Sequence, residues 1–242
     1  MDPQCYRLLA EVEDVHWWHV GMRRIALRWL RRAVPSGARL LDVGCGTGRL
    51  LRDLQREGVA VGVDVSPWAA RLWAERGQPG VARARVQALP FPTGAFDAVV
   101  CLDVLYHAQV PDETSALAEI ARVLRPGGVV LIRVPALPWL RSSRDVPFYT
   151  RRRYSPRDLQ TLLSSVELRL ERQSYANALL LPLAILQRRL GSHVTPCENL
   201  GDRVPIPVIN WLARCALMIE ERWLDRWSFP IGLSLICLAR RM

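Results

Sequence analysis

Three glycines that follow a short apolar run are the residues of this sequence best suited to chemistry. Gly44, Gly46 and Gly48 alternate with small residues, and Asp42 lies two residues before the first of them. A glycine lets the backbone approach a ligand where a side chain would block it. A second apolar run ends at Asp64, where nucleotide-binding α/β folds place the acid that accepts ribose hydroxyls. The pattern predicts a nucleotide at the carboxyl ends of the first two strands.

The spacing of these glycines discriminates between nucleotides. The dinucleotide fingerprint is G-x-G-x-x-G, which sets a pyrophosphate at a helix N-terminus. Here the spacing is G-x-G-x-G, and the carboxylate of Asp42 would repel a pyrophosphate but suit a ligand with a cationic end. An NAD-dependent oxidoreductase therefore stays an alternative that the glycine spacing opposes.

Three further motifs follow the glycine loop in order. They are Leu89–Pro92, Phe96–Val100 and Val123–Gly128, which read LPFP, FDAVV and VLRPGG. Together with the glycine loop they resemble the motifs of class I S-adenosylmethionine (SAM)-dependent methyltransferases of type 11. The resemblance implies an α/β fold with a Rossmann-like sheet, SAM as the cofactor, and methyl transfer as the activity.

Features outside these motifs indicate a subgroup of the family. The tryptophan pair Trp17-Trp18, the Arg-Arg-Tyr loop that ends at Tyr154 and a C-terminal insertion are similar to a bacterial subgroup of these enzymes. For the acceptor we expect a small-molecule or lipid-linked metabolite, with oxygen placed before nitrogen and carbon as the methylated atom. A non-catalytic binding or scaffold protein with the same fold stays an alternative, which the complete glycine loop opposes.

The resemblance also implies a cofactor site built from the loop and the following strand ends: Asp42, Gly44, Cys45, Gly46, Gly48, Asp64, Val65, Gln87, Leu102 and Asp103. Asp64 would accept hydrogen bonds from both ribose hydroxyls, and Asp42 would help fix the amino end of SAM. Gln87 could accept the adenine amino group. Leu102 and Asp103 should lie near the sulfonium.

The catalytic candidates are residues that could move a proton. SAM carries most of the driving force, so a base is needed only if the acceptor must lose a proton. His107, in the loop after the fourth strand, is the first candidate because a histidine pKa lies near neutrality. Tyr106 precedes it, and His16 and His19 could reach the pocket from the N-terminal segment. No metal site is expected, since no cluster has metal-ligand spacing.

The elements that must position these residues alternate along the chain, which predicts a parallel sheet with helices on both faces. The predicted strands are 39–43, 60–64, 82–86, 98–102, 129–134, 166–172 and 232–239. The last two should form an antiparallel hairpin. A helix break is predicted at Gly21.

The predicted division of the chain has four parts. They are an N-terminal helical cap (1–37), a SAM-binding core (38–173), a helical insertion that also caps the site (174–230) and a last core strand (231–242). The insertion should hold two apolar helices, 177–190 and 208–227.

Composition limits the partners. The net charge is +10, and all 33 basic residues are arginine, but they are spread along the chain, so nucleic acid is not an expected partner. Peripheral contact with an anionic membrane stays open. The six cysteines lack C-x-x-C spacing and no secretory leader precedes them, which indicates a reduced, cytoplasmic protein of undetermined oligomeric state. No apolar run reaches the length of about 20 residues that spans a bilayer.

Overall fold

The computed structural model of this protein describes residues 3–142, 145, 146, 149–189 and 204–242. Its strands are Arg39–Val43 (β1), Val59–Asp64 (β2), Val81–Arg83 (β3), Phe96–Leu102 (β4), Leu124–Pro135 (β5), Leu168–Ala176 (β6) and Ser234–Arg241 (β7). They form one sheet in the order β3-β2-β1-β4-β5-β7-β6. β1 to β5 pair in parallel, and β7 pairs antiparallel with β5 and β6. The predicted α/β sheet and its closing hairpin are confirmed.

Helices cover both faces of this sheet. They are Pro3–Val12 (α1), Trp17–Ala33 (α2), Arg49–Glu57 (α3), Pro67–Glu75 (α4), Glu113–Val123 (α5), Pro156–Ser164 (α6), Leu181–Arg189 (α7) and Pro207–Trp223 (α8). α2 and α3 bury their apolar residues against one face, and α5 and α6 against the other. Within the described ranges, no helix is both long enough and apolar enough to cross a membrane.

Helix starts follow the local sequence. The side chain of Ser66 accepts a backbone N–H two residues on, and Pro67 opens α4. Asp112 accepts two backbone N–H groups at the start of α5. Ser155 and Asp158 form a reciprocal capping box at the start of α6. These side chains satisfy N–H groups that have no partner inside the helix.

The predicted helix break at Gly21 is wrong, because α2 runs through this residue without interruption. A Cβ at Gly21 would lie 2.2 Å from Cδ1 of Leu217 on α8, which is too close for any side chain. The glycine therefore serves the close approach of two helices. α2 begins at Trp17, where the side chain of His16 accepts the N–H of Trp18.

The first helix of the insertion starts later than predicted, at Leu181 and not at residue 177. Asn177 has a left-handed φ of +55°. The carboxylate of Glu220 on α8 accepts the N–H groups of Asn177 and Ala178, the second at 2.9 Å. The backbone groups that would begin a helix at 177 are thus bound elsewhere. The predicted end at residue 190 lies outside the described residues.

Several other predicted bounds differ from the structure. The second helix of the insertion ends at Trp223 and not at residue 227. β3 ends at Arg83 and not at residue 86, because the chain then turns, with the N–H of Ala88 donating to the carbonyl of Arg85 at 3.0 Å. β6 continues past the predicted core boundary at 173 to Ala176. The division into four parts stays a prediction.

Candidate active site

The glycine loop joins β1 to α3 and takes left-handed backbone angles. φ is +74° at Gly44, +53° at Gly46 and +80° at Gly48, angles at which other residues are strained. At Gly44 a Cβ would also lie 2.2 Å from Cγ2 of Val104. The N–H of Gly44 donates to the carbonyl of Val63 on β2 at 2.7 Å. The loop is therefore fixed against β2.

A cavity of about 440 Å³ lies at the carboxyl ends of β1, β2 and β4, and this volume suits a small molecule. It is lined by most of the predicted site residues: His19, Asp42, Gly44, Cys45, Gly46, Asp64, Val65, Gln87, Leu102, Asp103, Tyr106 and His107. Two predicted site residues lie outside this lining. Gly48 is the N-cap of α3, and His16 is the N-cap of α2. The binding roles of all these residues stay predictions.

Two carboxylates lie at one end of the cavity. Asp42 is 2% exposed, and its Oδ2 is buried with no hydrogen-bond donor among the described residues. Burial and the neighbouring charge of Asp64 raise the pKa of Asp42 to about 7. Asp64 accepts the N–H of Gly46 at 3.0 Å and of Ser66 at 2.8 Å, and burial raises its pKa. This end of the cavity suits a ligand with a cation and hydroxyl donors.

An ion pair also lines the cavity, where the sequence had indicated only Asp103. Arg133 on β5 is 6% exposed, and its Nε lies 3.1 Å from Oδ2 of Asp103. The guanidinium also lies 5.0 Å from the ring centre of Trp18. Asp103 has a left-handed φ of +61° and donates its N–H to the carbonyl of Arg133. The pairing of Arg133 and Asp103 compensates two charges that are withdrawn from water.

The histidines of the site are held by backbone groups. Nδ1 of His107 accepts the N–H of Gln109 at 3.1 Å, and burial lowers the pKa of His107 to about 4. A neutral imidazole that accepts at Nδ1 carries its proton at Nε2, so His107 is a hydrogen-bond donor at this atom. His16 likewise accepts at Nδ1, and burial followed by the charge of Arg214 lowers its pKa to about 4.

Tyr106 and His19 complete the set of predicted catalytic candidates, and both line the cavity. Burial, and then the negative charge of Asp103, raises the pKa of Tyr106, so that its hydroxyl stays protonated. The structure thus brings three of the four candidates together around the cavity, whereas His16 caps α2 outside the lining. A catalytic role for each stays a prediction.

The N-terminal segment covers the glycine loop through contacts that the sequence analysis did not indicate. Tyr6 of α1 packs with Cys45 and Trp73. The carboxylate of Glu13 accepts the hydroxyl of Thr47 in the loop. Burial raises the pKa of Glu13. The threonine between the loop glycines was the available signal, since a hydroxyl in a buried loop needs a partner.

The described residues of the insertion, 174–189 and 204–230, do not line the cavity. α8 packs on the outer side of α2 instead. The cap role of the insertion stays a prediction, and residues 190–203 lie outside the described residues.

Similarity to known proteins covers the part of the chain that builds the cavity. Residues 41–132 match the family model of the methyltransferase domain. The chain is 37% identical over 129 residues to a demethylmenaquinone methyltransferase of Tropheryma whipplei (strain Twist), across 52% of this chain and 50% of that relative. It is 38% identical over 112 residues to a ubiquinone biosynthesis O-methyltransferase of Xanthomonas oryzae pv. oryzae (strain PXO99A), across 42% of this chain and 46% of the relative. The chain thus spans about half the length of these relatives.

A solved structure extends the similarity of the fold over most of the chain. It is that of Burkholderia thailandensis 1,6-didemethyltoxoflavin-N1-methyltransferase with bound 1,6-didemethyltoxoflavin and S-adenosylhomocysteine. The TM-score is 0.55 at 20% identity, across 92% of this chain and 78% of the other. At this identity the likeness shows the fold alone.

Proposed function

We propose that this chain, whose residues 41–132 form a domain of the methyltransferase family, transfers a methyl group from SAM to a small-molecule acceptor. The observation that carries the proposal is the pair of carboxylates, Asp42 and Asp64, beside the left-handed glycine loop at one end of the cavity. A nucleoside with a cationic amino-acid tail matches these charges, whereas the pyrophosphate of a dinucleotide would be repelled by them.

Each end of SAM would meet a group of matching chemistry. Asp64 would accept the ribose hydroxyls, because each carboxylate oxygen keeps a free lone pair after accepting one backbone N–H. The carboxylate of Asp42, which lines the cavity, would attract the amino group by its charge. Gln87 donates its Nε2 to the carbonyl of Gln109 at 3.3 Å, which leaves its Oε1 for the adenine amino group. When bound, SAM supplies an electrophilic methyl group on a sulfonium.

The lining residues of β5 and of the loop after β4 would hold the acceptor. His107 presents Nε2–H, a donor for the lone pair of an acceptor oxygen. Asp103 and Arg133 fix each other across the cavity wall and so keep its shape constant. Because Nε2 of His107 already carries a proton, the proton that a hydroxyl acceptor loses would pass to water. Catalysis would rest mainly on the alignment of the acceptor with the methyl group.

We place the methylated atom as oxygen and the acceptor among small molecules, including lipid-linked ones. The donor at His107 supports an oxygen, and one of the two relatives is an O-methyltransferase by name. A cytoplasmic location is also proposed, since Cys45, Cys101 and Cys237 are buried free thiols, which suits a reducing compartment.

Calorimetric titration with SAM, S-adenosylhomocysteine and NAD tests the cofactor. We expect the first two to bind and NAD to give no heat. NAD binding without SAM binding would overturn the proposal in favour of an oxidoreductase.

Transfer of a labelled methyl group from SAM tests the reaction, with hydroxylated aromatic compounds and their prenylated forms as acceptors. We expect label in the organic phase with at least one of them. SAM binding without transfer to any acceptor would favour a binding or scaffold protein.

A further inference from the structure

Helix α8 turns an apolar face to solvent. We call the outer face of α8 the set of five exposed residues Val208, Trp211, Leu212, Ile219 and Trp223. Their spacing places them on one side of the helix. Trp211 and Ile219 expose 62% and 61% of their surface. A contiguous apolar stripe of this kind marks an interaction site and not an ordinary protein surface.

The opposite side of α8 already has its partners. Ala213 and Leu217 are buried there, and Leu217 contacts α2 at Gly21. Leu224, just past the helix end, is fully buried in the core cluster of α2. The fold therefore uses the inner side of α8 for its stability and leaves the outer face as a second apolar surface.

The acids of this region all point inward. Glu220 accepts backbone N–H groups at the end of β6, including that of Ala178. Glu221 lies 2.8 Å from Nε of Arg24 on α2, and Asp225 binds Arg28 through a hydrogen bond of 2.6 Å. Residues 204–231 contain no other acid. The outer face therefore carries no carboxylate.

Cations flank the outer face instead. Arg222 is exposed on the same side of α8, and Arg226 is exposed just past the helix end. Trp227 is 61% exposed and lies 6.2 Å from Trp223 between ring centres, so it extends the apolar stripe. Tryptophan, aliphatic residues and arginine without acids are the composition of helices that lie in a membrane interface.

We propose that the outer face of α8 binds the surface of an anionic phospholipid bilayer, with the helix axis in the membrane plane. A second copy of the chain fits less well. A symmetric dimer through this face would set Arg222 and Arg226 near their own counterparts, with no carboxylate to compensate them. Lipid phosphates supply that compensation, and the acyl boundary accepts Trp211 and Ile219.

Docking would bring the cavity close to the lipid. Near the first turn of α8, Oδ1 of Asn210 accepts the N–H of Trp17 at 2.9 Å. Trp18 and His19, the next residues of α2, line the cavity. The first turns of α8 and the cavity thus both adjoin the start of α2, which suits an acceptor dissolved in the membrane. Only this last consequence rests on the proposed function.

Flotation of the full chain with vesicles tests the docking and needs neither cofactor nor acceptor. We expect the chain to float with vesicles of phosphatidylcholine and phosphatidylglycerol, and to float much less with phosphatidylcholine alone or at high salt. Equal flotation with both, or none with either, would overturn the proposal.

Variants separate the contribution of apolar burial to membrane binding from the contribution of the arginine charges. Combined Trp211→Gln and Ile219→Gln should reduce partitioning by at least about tenfold, because their apolar burial is lost. Trp139→Gln is the matched control, since Trp139 is 63% exposed elsewhere on the chain. Combined Arg222→Gln and Arg226→Gln should reduce partitioning onto anionic vesicles about fivefold per arginine, while Arg157→Gln on α6 should not change it.

Thermal unfolding and sedimentation velocity of the same variants complete the test. All these positions are exposed, so the melting temperature should not change. A concentration-dependent dimer of the parent chain that the Trp211→Gln and Ile219→Gln variant abolishes would assign the face to self-association and overturn the proposal.

Discussion

At the scale of single residues, Asp42 and Asp64 share one cavity but differ in what satisfies them. Asp64 is anchored by two backbone N–H groups, from Gly46 and Ser66, which orient its oxygens at the end of β2. Asp42 keeps a buried oxygen without a donor and titrates near neutrality. The first is therefore suited to directed hydrogen bonds, and the second to a ligand that brings a positive charge.

Replacement of Asp64 tests the placement of the ribose. We expect Asp64→Ala to weaken SAM binding by about 1.5–3 kcal/mol, because charge-assisted hydrogen bonds to the hydroxyls are lost. Calorimetry with SAM and S-adenosylhomocysteine measures this. Glu75→Ala is the control, since Glu75 is exposed on the following helix. Unchanged affinity of the Asp64 variant for both ligands would contradict the placement.

The side chain of His107 tests alignment against proton transfer. As a donor to the acceptor, His107→Ala should lower kcat/KM about two- to tenfold and His107→Gln should restore much of it. Since its pKa is about 4, the parent should show no inflection from His107 between about pH 5.5 and 8. A loss of about 10²–10⁴ that glutamine does not rescue would identify a general base instead.

At the scale of elements, the contact between α2 and α8 depends on the missing side chain at Gly21. Alanine in place of glycine inside a helix normally stabilises it by about 1 kcal/mol. Here the added Cβ would meet Leu217 at 2.2 Å. We therefore expect Gly21→Ala to lower the free energy of unfolding in urea by about 1–3 kcal/mol.

A second substitution, at Leu217, tests whether the contact with this side chain is the cause. In a Leu217→Ala background the obstruction is removed, so Gly21→Ala should be neutral or stabilising there. Equal destabilisation in both backgrounds would show that the contact with Leu217 is not the cause.

Local sequence predicted the elements wherever a single segment determines the outcome. Short apolar runs that end at Val43 and Asp64 became β1 and β2, and the side chain of Ser66 caps α4 directly after β2. The predicted helix break at Gly21 was wrong, because a glycine is found both at helix breaks and where two helices pack closely. Only the position of the partner helix distinguishes the two cases. In α8 apolar residues occupy both sides, so the sequence alone did not show that Leu217 is buried and Trp211 exposed.

The cavity was predicted in outline for the same reason. Glycines and acids at strand ends carry a local signal, and these residues do line it. Arg133 was missed, although an arginine within the apolar run of β5 was an available signal, since arginine is rarely buried without a partner. The contact of Glu13 with Thr47 joins segments that only the fold brings together.

At the scale of the whole molecule, buried ionisable groups couple stability to pH in opposite directions. Burial lowers the pKa of His16 and His107 to about 4, below the ordinary value of 6.5. As the pH falls, these histidines therefore bind protons in the unfolded chain before they do so in the folded one. The free energy of unfolding that they contribute rises with pH between about 4 and 6.5. Asp42 acts in the reverse sense, with its pKa raised from 3.8 to about 7.

The contribution of Asp42 is separable by comparison with a variant that does not titrate. Between about pH 4 and 7 the folded state keeps a proton on Asp42 that the unfolded state has lost, so rising pH lowers the free energy of unfolding. Above about pH 8 both states are ionised, and this contribution is constant. Asp42→Asn should therefore gain stability relative to the parent across that interval and hold the difference above it.

Urea unfolding of both proteins at a series of pH values, without ligand, measures the difference. The histidines are common to both and cancel. Parallel profiles from pH 4 to 8 would contradict the raised pKa of Asp42. A cationic ligand should reduce the effect, because a positive group beside Oδ2 favours the ionised carboxylate. Saturating SAM should therefore stabilise the parent more at pH 8 than at pH 6, and this pH dependence should be smaller in Asp42→Asn.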